Sequence, residues 1–301
     1  MGESDGGSMT AHHLLCAGLS YCAQALLPLL EGWEISATLR DPARAPMLRQ
    51  HGVQPVPITP AHFDADALRS DVTHILLSAP PSGEGVDPFL DLLRPWMAQH
   101  PLQWVGYLST TGVYGDHRGA WVDEESVAGP LGKRGARRVA AEQAWLDWGA
   151  QSGTPVHIFR LPGIYGPGRS AIESVVSGQA RRIVKPDQVF SRIHVDDLAQ
   201  TLFASFKRPH AGRAYNVCDD EPAPPQDVIA YAAHLLGRTP PPEIAFEEAD
   251  LSPMAKSFYA ENKRVRNDRI KTELGVRLSY PSYREGLKAC LAAWQSRPIQ
   301  G

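Results

Sequence analysis

The stretch Leu14-Leu15-Cys16-Ala17-Gly18-Leu19-Ser20-Tyr21-Cys22-Ala23 places a glycine turn between a short apolar run and a helical segment. A strand that leads through glycine into a helix is how a dinucleotide-binding βαβ unit begins. In such a unit one glycine makes the tight turn, a second lets the backbone approach a pyrophosphate, and a third position packs helix on strand. Gly18 and Ala23 fit the first and third positions, and Ser20 replaces the second glycine. We predict a nucleotide-binding turn here, with an ordinary strand–helix turn as the alternative.

Short apolar runs alternate with helical stretches along the first half of the chain, which is the pattern of a doubly wound α/β sheet. Continuous apolar runs of this kind are typical of parallel strands that helices cover on both faces. The predicted strands are 14–17, 34–38, 53–58, 74–78, 104–109 and 156–161. Helices are predicted at 21–30, 226–236 and 283–294, although Pro28 lies inside the first, where proline removes a backbone hydrogen bond.

The chain divides into three segments by composition. Residues 1–10 are acidic and rich in glycine, without the apolar core of a signal peptide, and are predicted to be a disordered leader. Residues 11–165 carry the strand pattern and form the dinucleotide-binding domain. Residues 166–301 are richer in proline and arginine and are predicted to form a small C-terminal substrate lobe, partly interleaved with the main sheet.

Composition excludes several functional classes. The net charge of −3 and the pI of about 6.4 do not fit a nucleic-acid partner. No apolar run approaches the roughly 20 residues that span a membrane. The four cysteines are scattered, which predicts reduced thiols, a cytoplasmic location and no metal site. We therefore expect a small-molecule partner, with neither nucleic acid nor membrane.

The residues at the end of the second strand indicate whether the cofactor is NAD or NADP. They are Thr38-Leu39-Arg40-Asp41-Pro42-Ala43-Arg44. An acidic residue at this point binds the ribose hydroxyls of NAD, whereas an arginine accommodates the 2′-phosphate of NADP. Arg40 lies at the expected distance from the glycine turn, and Arg44 follows it. Asp41 either caps the next helix or pairs with Arg44. The segment favours NADP(H) over NAD(H).

Three segments carry a resemblance to a known family. They are Leu108-Ser-Thr-Thr-Gly-Val-Tyr-Gly115, Arg134-Gly-Ala-Arg-Arg-Val-Ala-Ala-Glu142 and His194-Val-Asp-Asp197. The chain resembles the extended short-chain dehydrogenase/reductases, the NAD(P)-dependent epimerase/dehydratase group, over approximately residues 12–294. The resemblance implies a Rossmann-type sheet with a small C-terminal substrate lobe and a nicotinamide cofactor. It also implies that Ser78, Ala79, Pro80 and Ser109 line the cofactor site.

The same resemblance indicates an atypical member. The family's catalytic helix usually reads Tyr-Gly-x-Ser-Lys-x-Ala-Ala-Glu, so alignment on Glu142 puts the tyrosine at Arg134 and the lysine at Arg138. A guanidinium stays protonated at working pH, so Arg134 stabilises negative charge without transferring a proton. Arg138 would replace the lysine as a ribose or phosphate ligand. Thr110 takes the place of the family's catalytic hydroxyl.

The remaining candidates stay open at this stage. Tyr114 is a possible proton donor, with a packing role as the alternative. Glu124 and Glu125 are expected in a surface loop. The substrate candidates are Thr111, Tyr165, Arg169 and Arg192, the last two within a basic cluster that also contains Arg181, Arg182 and Lys185. That cluster binds an anionic substrate or, alternatively, pairs with Asp187, Asp196 and Asp197.

The resulting hypothesis is an NADP(H)-dependent oxidoreductase, epimerase or dehydratase for a small polar, anionic metabolite. The first alternative is a non-catalytic nucleotide sensor or partner-binding protein, because the proton-transfer pair is missing. The second is a non-redox lyase or isomerase that uses the same pocket. A homodimer through Val139, Trp145 and Trp148 is a further expectation, with the core as the alternative location of these side chains.

Overall fold

The computed structural model describes residues 12–58, 68–81 and 87–297. The strands in these residues are β1 (His13–Ala17), β2 (Glu34–Leu39), β3 (Gln54–Pro57), β4 (His74–Leu77), β5 (Trp104–Thr110), β6 (Trp121–Val122), β7 (Val156–Leu161), β8 (Gly163–Tyr165), β9 (Arg182–Val184), β10 (Arg192–His194), β11 (Arg213–Asn216), β12 (Glu243–Ala245) and β13 (Arg264–Val265). The helices are α1 (Tyr21–Leu26), α2 (Ala45–Gln50), α3 (Pro88–Met97), α4 (Lys133–Ser152), α5 (Ala171–Val176), α6 (Val195–Phe206), α7 (Pro225–Leu235), α8 (Pro253–Tyr259), α9 (Asp268–Thr272) and α10 (Tyr283–Gln295).

Seven of the strands form one parallel sheet in the order β11-β7-β5-β4-β1-β2-β3. The strand order reverses between β1 and β4, and a reversal of this kind opens a crevice at the carboxyl ends of the strands. The six strands predicted from the sequence all lie in this sheet, so the Rossmann-type α/β fold is confirmed. β11 comes from the C-terminal half of the chain and pairs with β7 at the sheet edge.

Helices cover both faces of the sheet, and most side chains of its strands are buried. One face packs against α1 and α6, with Leu26, Leu198 and Leu202 fully buried. The other packs against α3 and α4, where Leu90 and Trp145 are fully buried. Trp148 lies in the same cluster, so both tryptophans proposed for a dimer interface belong to the core.

The first helix differs from its prediction over 21–30. The α-helix ends at Leu26, and Leu27–Leu29 form a 3-10 turn with Pro28 near its start. Proline fits the first turn of such an element because the N–H that it lacks has no intrahelical partner there. The prediction was therefore wrong beyond Leu26, and Pro28 marks the change.

A third core holds the C-terminal lobe together. Helices α5, α7 and α10 meet around Ile172, Ala232 and Leu287. Both carboxylate oxygens of Asp197, at the start of α6, accept backbone N–H groups of Ser279 and Tyr280, at 2.7 and 2.9 Å. The lobe is thus anchored to the helix that covers the main sheet.

Three sequence-based expectations concern the chain as a whole. All four cysteines are buried and free. No helix among the described residues is long and apolar enough to cross a membrane. The expected leader, residues 1–10, lies outside the described residues, and the division into domains stays a prediction.

Candidate nucleotide and substrate site

The glycine turn lies at the strand-order reversal and is held from both neighbouring strands. Gly18 has a φ of 83°, a left-handed value that favours glycine. Its N–H donates to Thr38 Oγ1 of β2 at 2.9 Å, and Ser78 Oγ, just past β4, donates to its carbonyl at 2.9 Å. The structure therefore brings two of the predicted cofactor residues, Gly18 and Ser78, together. Ala79 follows half-buried, and Pro80 is exposed.

The start of α1 offers backbone groups rather than side chains. Ser20 Oγ accepts the N–H of Ala23 at 3.3 Å, so this hydroxyl caps the helix. The side chains of Cys22 and Ala23 are buried. The first N–H groups of a helix have no intrahelical partner, which leaves those of Tyr21 and Cys22 for a phosphate. The turn therefore fits the pyrophosphate of a dinucleotide.

A loop from the C-terminal half covers this turn. Tyr21 Oη donates to the carbonyl of Pro167 at 3.1 Å, and the Arg169 guanidinium lies over the Tyr21 ring at 5.8 Å. A Cβ on Gly166 would lie 2.5 Å from Tyr21 Oη, so the close approach requires glycine there. Burial raises the pKa of Tyr21 to about 12, so its hydroxyl stays a donor. Arg169 thus adds a positive charge beside the turn.

The end of β2 presents two exposed arginines. Asp41 Oδ1 accepts the N–H of Ala43 at 3.0 Å and caps a 3-10 turn. Asp41 therefore takes the capping role that was one of its two alternatives. Arg40 and Arg44 are exposed on either side of this turn.

Thr110 is the last residue of β5 and is half-buried, unlike the six residues before it. Its Oγ1 accepts the N–H of Gly112 at 3.1 Å, which caps the 3-10 turn Thr111–Tyr114. Ser109 points the other way and donates to Glu142 Oε1 at 2.5 Å. Thr111 is buried. Of the three hydroxyls, that of Thr110 is best placed to reach a ligand, since it keeps its own proton for donation.

The two arginines of α4 occupy different environments. Arg134 is exposed in the first turn, with its guanidinium 5.9 Å from the ring centre of Phe258. Arg138 is half-buried and donates to Tyr107 Oη and to the carbonyl of Leu108, both at 2.9 Å. Arg138 therefore stabilises the end of β5 beside Thr110.

Tyr114 lies inside the protein, with 1 % of its surface exposed. Its Oη donates to Asn216 Oδ1 at 2.7 Å and accepts from Arg160 at 2.9 Å. Burial raises its pKa to about 12. This position favours the packing alternative over a role as proton donor to a substrate.

A buried polar network, which the sequence did not predict, connects these residues. Arg160 Nη2 and Glu142 Oε2 form an ion pair at 2.8 Å. Glu124 Oε1 accepts the N–H of Asn216 at 2.8 Å, so the expectation that Glu124 lies in a surface loop was wrong. Its side chain binds the strand β11 that returns to the sheet. The sequence contains one indication of this network, because Arg160 is a charged residue within the apolar run of β7.

The lobe contains a cavity of about 610 Å³. Tyr165, Arg169, Arg181 and Arg192 lie in its wall together with Gly163. Leu161 pairs with Thr110 across neighbouring strands, and Gly163 follows Leu161 by two residues. The cavity wall therefore begins two residues beyond the strand pair that ends at Thr110 and Leu161. It brings together three of the four predicted substrate residues. The fourth, Thr111, is not part of its wall.

The basic cluster does not form the ion pairs that were its alternative explanation. Arg182 Nη2 pairs with Glu243 Oε1 at 2.7 Å, and Lys185 donates to the carbonyl of Tyr259. Within the described residues, no ion pair joins a cation of the cluster to Asp187, Asp196 or Asp197. Arg169, Arg181 and Arg192 are therefore three positively charged residues in the wall of the cavity. The described residues contain no group of three or more side chains able to hold a metal ion.

Residues 90–218 match the family model described as the NAD dependent epimerase/dehydratase family. The chain is 31% identical over 227 residues to Protein YeeZ of Escherichia coli (strain K12), across 72% of this chain and 75% of that protein. The chain belongs to the NAD-dependent epimerase/dehydratase family.

Two solved structures are similar to this chain over more than nine-tenths of its length. A functionally unknown conserved protein from Silicibacter pomeroyi DSS shares 53% sequence identity, with a TM-score of 0.85 over 93% of this chain and 98% of that chain. The dTDP-glucose 4,6-dehydratase of Bacillus anthracis str. Ames, solved in complex with NAD, shares 17% identity, with a TM-score of 0.73 over 95% and 96%. The second likeness concerns the fold alone.

Proposed function

We propose that this family member is an NADP(H)-dependent oxidoreductase or epimerase that acts on a small anionic metabolite. One observation carries the proposal. The Gly18 turn, the Thr110 hydroxyl and the wall of an arginine-lined cavity all lie at the carboxyl ends of β1, β5 and β7. This is where open α/β sheets bind ligands.

The chemistry divides between the cofactor and the protein. When bound, the nicotinamide supplies or accepts a hydride at a substrate carbon. Thr110 donates a hydrogen bond to a substrate oxygen, because its Oγ1 accepts from Gly112 and keeps its own proton. Arg134 stabilises negative charge on that oxygen, and the proton that balances the hydride is exchanged with solvent water. Arg138 holds the end of β5 in place through Leu108.

The proposed preference for NADP(H) rests on Arg40. A guanidinium binds a phosphate through two parallel hydrogen bonds, and Asp41 is engaged in capping. We expect Arg40→Asp to weaken NADPH binding by at least about tenfold and NADH binding by less than about threefold, measured by isothermal titration. Arg49→Asp, the same charge change at an exposed position of α2, is the matched control. Equal losses for the two nucleotides in R40D would refute the phosphate contact.

A nucleotide-sensing role is the second candidate, favoured by arginines at the positions of the family's tyrosine and lysine. A crystal structure with bound NADPH separates the two. A nicotinamide ring beside Thr110, open to the cavity, supports an enzyme. A ring that is buried away from the cavity supports a sensor. No binding of NADPH or NADH at millimolar concentration would exclude both.

We further propose that the protein works in the cytoplasm. The four cysteines are free and buried, and burial raises the pKa of Cys16 to about 12 and that of Cys290 to about 11. Thiols of this kind are typical of reducing compartments.

A further inference from the structure

The cavity of the C-terminal lobe combines cationic and apolar surfaces. Helices α5, α7 and α10 supply its wall. The apolar part includes Ile164, Val228, Ile229 and Leu287. Such a surface binds a ligand by burying apolar area rather than by hydrogen bonding. The ligand must therefore carry an apolar body as well as negative charge.

Most of the polar groups around α5 in this wall, including the Glu173 carboxylate, are already engaged within the protein. Ser170 and Glu173 bind each other in the capping box of α5, and Glu173 also accepts from the N–H of Gly168 at 2.7 Å. Ser174 and Ser177 donate to backbone carbonyls one turn earlier, both at 3.2 Å. A sugar would bury several hydroxyls here, and each buried hydroxyl needs a partner. The wall disfavours a ligand rich in hydroxyl groups.

Arg192 supplies one of the positive charges in the wall of the cavity. Its Nη1 donates to the carbonyls of Phe190 and Ala223, at 2.8 and 3.1 Å. These bonds fix the guanidinium. Among the described residues no hydrogen bond engages Nε or Nη2, the edge whose geometry matches a carboxylate. Burial raises the pKa of the neighbouring Asp219 carboxyl, and the positive charge of Arg192 opposes that rise.

We infer that the cavity binds an amphipathic carboxylate, with an aliphatic or aromatic body against Val228 and Ile229 and its carboxylate on Arg192. The inference rests on the proposed function and names its substrate class. Arg169 and Arg181 are exposed at the cavity mouth and attract the anion.

The test compares four probes by isothermal titration of the full-length protein in the presence of NADPH. They are 3-phenylpropionate, its neutral amide, 2-phenylethyl phosphate and UDP-glucose. We expect 3-phenylpropionate to bind at millimolar concentration or below, and the amide to bind at least about tenfold more weakly. Equal binding of acid and amide, or no binding of the acid, overturns the inference. Tighter binding of the phosphate or of UDP-glucose also overturns it.

Substitutions test whether Arg192 is the residue that contacts the carboxylate. Arg192→Met should weaken 3-phenylpropionate binding at least about tenfold, whereas Arg182→Met, which alters a half-buried arginine outside the wall, should not. If R192M does not fold, Ile229→Asp provides the second variant, because a carboxylate beside the apolar body repels the ligand. Unchanged binding in the folded variant overturns the inference.

The result for NADPH binding distinguishes failure of the proposed function from failure of the proposed substrate class. Absence of NADPH binding to the unaltered protein defeats the proposed function. Intact NADPH binding without any binding of 3-phenylpropionate defeats the substrate class alone.

Discussion

The Glu142 carboxylate is surrounded by groups that each depend on it. Ser109 donates to one of its oxygens at 2.5 Å, and Arg160 donates to both, through Nε at 3.3 and 3.2 Å. Arg160 in turn reaches Tyr114 Oη. A buried ion pair adds little net stability compared with apolar residues, but removal of one partner isolates the other charge. This pair therefore makes the position of Ser109, and hence of its neighbour Thr110, dependent on Arg160.

We expect Arg160→Met to lower the free energy of unfolding by about 3–5 kcal/mol, because it leaves a buried carboxylate without its counter-ion. The measurement is urea unfolding followed by circular dichroism. Arg182→Met is the control, since its partner Glu243 is exposed and such pairs contribute at most about 1 kcal/mol. The double variant Glu142→Gln/Arg160→Met should regain part of the loss. A cost for R160M no greater than for R182M would contradict the argument.

The sequence predicts some site residues and not others for a physical reason. Gly18 and Thr110 end apolar runs, and the ends of parallel strands meet at one edge of a sheet, so their proximity follows from the pattern. The direction of a side chain does not follow as easily. Ser109 and Thr110 are neighbours on one strand, so their side chains point to opposite faces. The sequence offered both as site residues, whereas the structure turns Ser109 towards Glu142.

Helix α4 joins the site to the core because glycine lets it approach the sheet closely. A Cβ on Gly149 would lie 2.5 Å from Val156 Cγ2 and 2.9 Å from the carbonyl of Thr154. Alanine is favoured over glycine in a helix by roughly 1 kcal/mol. At this position the backbone contact outweighs that preference, because the carbonyl is a backbone atom just before β7 and cannot rotate away as the end of a flexible side chain can.

Gly149→Ala should therefore destabilise the protein by about 1–3 kcal/mol, although alanine is the better helix former. Thermal and urea unfolding measure the change. Gln151→Ala, at an exposed position of the same helix, should alter stability by less than about 0.5 kcal/mol. Stabilisation in G149A would show that the helix shifts away from β7 at little cost.

Whole elements were predictable where local pattern determines them. The last helix, predicted at 283–294, is Tyr283–Gln295 in the structure, and Ser282 with Glu285 forms its capping box. The pairing of β11 with β7 was harder to predict from the sequence, because it joins residues more than fifty positions apart. Glu124, from a third segment, stabilises that pairing by accepting the N–H of Asn216 at the end of β11.

The molecule as a whole carries a cluster of histidine and aromatic side chains at the amino ends of its strands. His12, Trp33, His74 and Phe206 pack face to edge or stacked, with ring centres 4.6 to 5.5 Å apart. On the neighbouring strands, the Trp104 indole donates to His157 Nδ1 at 3.2 Å, and His157 Nε2 donates to the carbonyl of His210 at 2.7 Å. These two bonds fix the neutral ring of His157, and a proton on Nδ1 would break the first.

Acid should therefore destabilise the fold from the end of the sheet opposite the ligand site. Burial lowers the pKa values of His74 and His157 from 6.5 to about 4. A depressed pKa means that the unfolded chain binds the proton first, so stability is complete above pH 6.5 and falls as the pH drops towards 4. Each histidine contributes roughly 1 kcal/mol per pH unit in that window.

The variant His157→Gln keeps a neutral hydrogen-bonding group at this position but removes the titration. Urea unfolding between pH 7.5 and 4 should show a shallower loss in H157Q than in the unaltered protein, because the carboxyl groups titrate in both. Parallel curves would mean that His157 is not the group that takes up the proton.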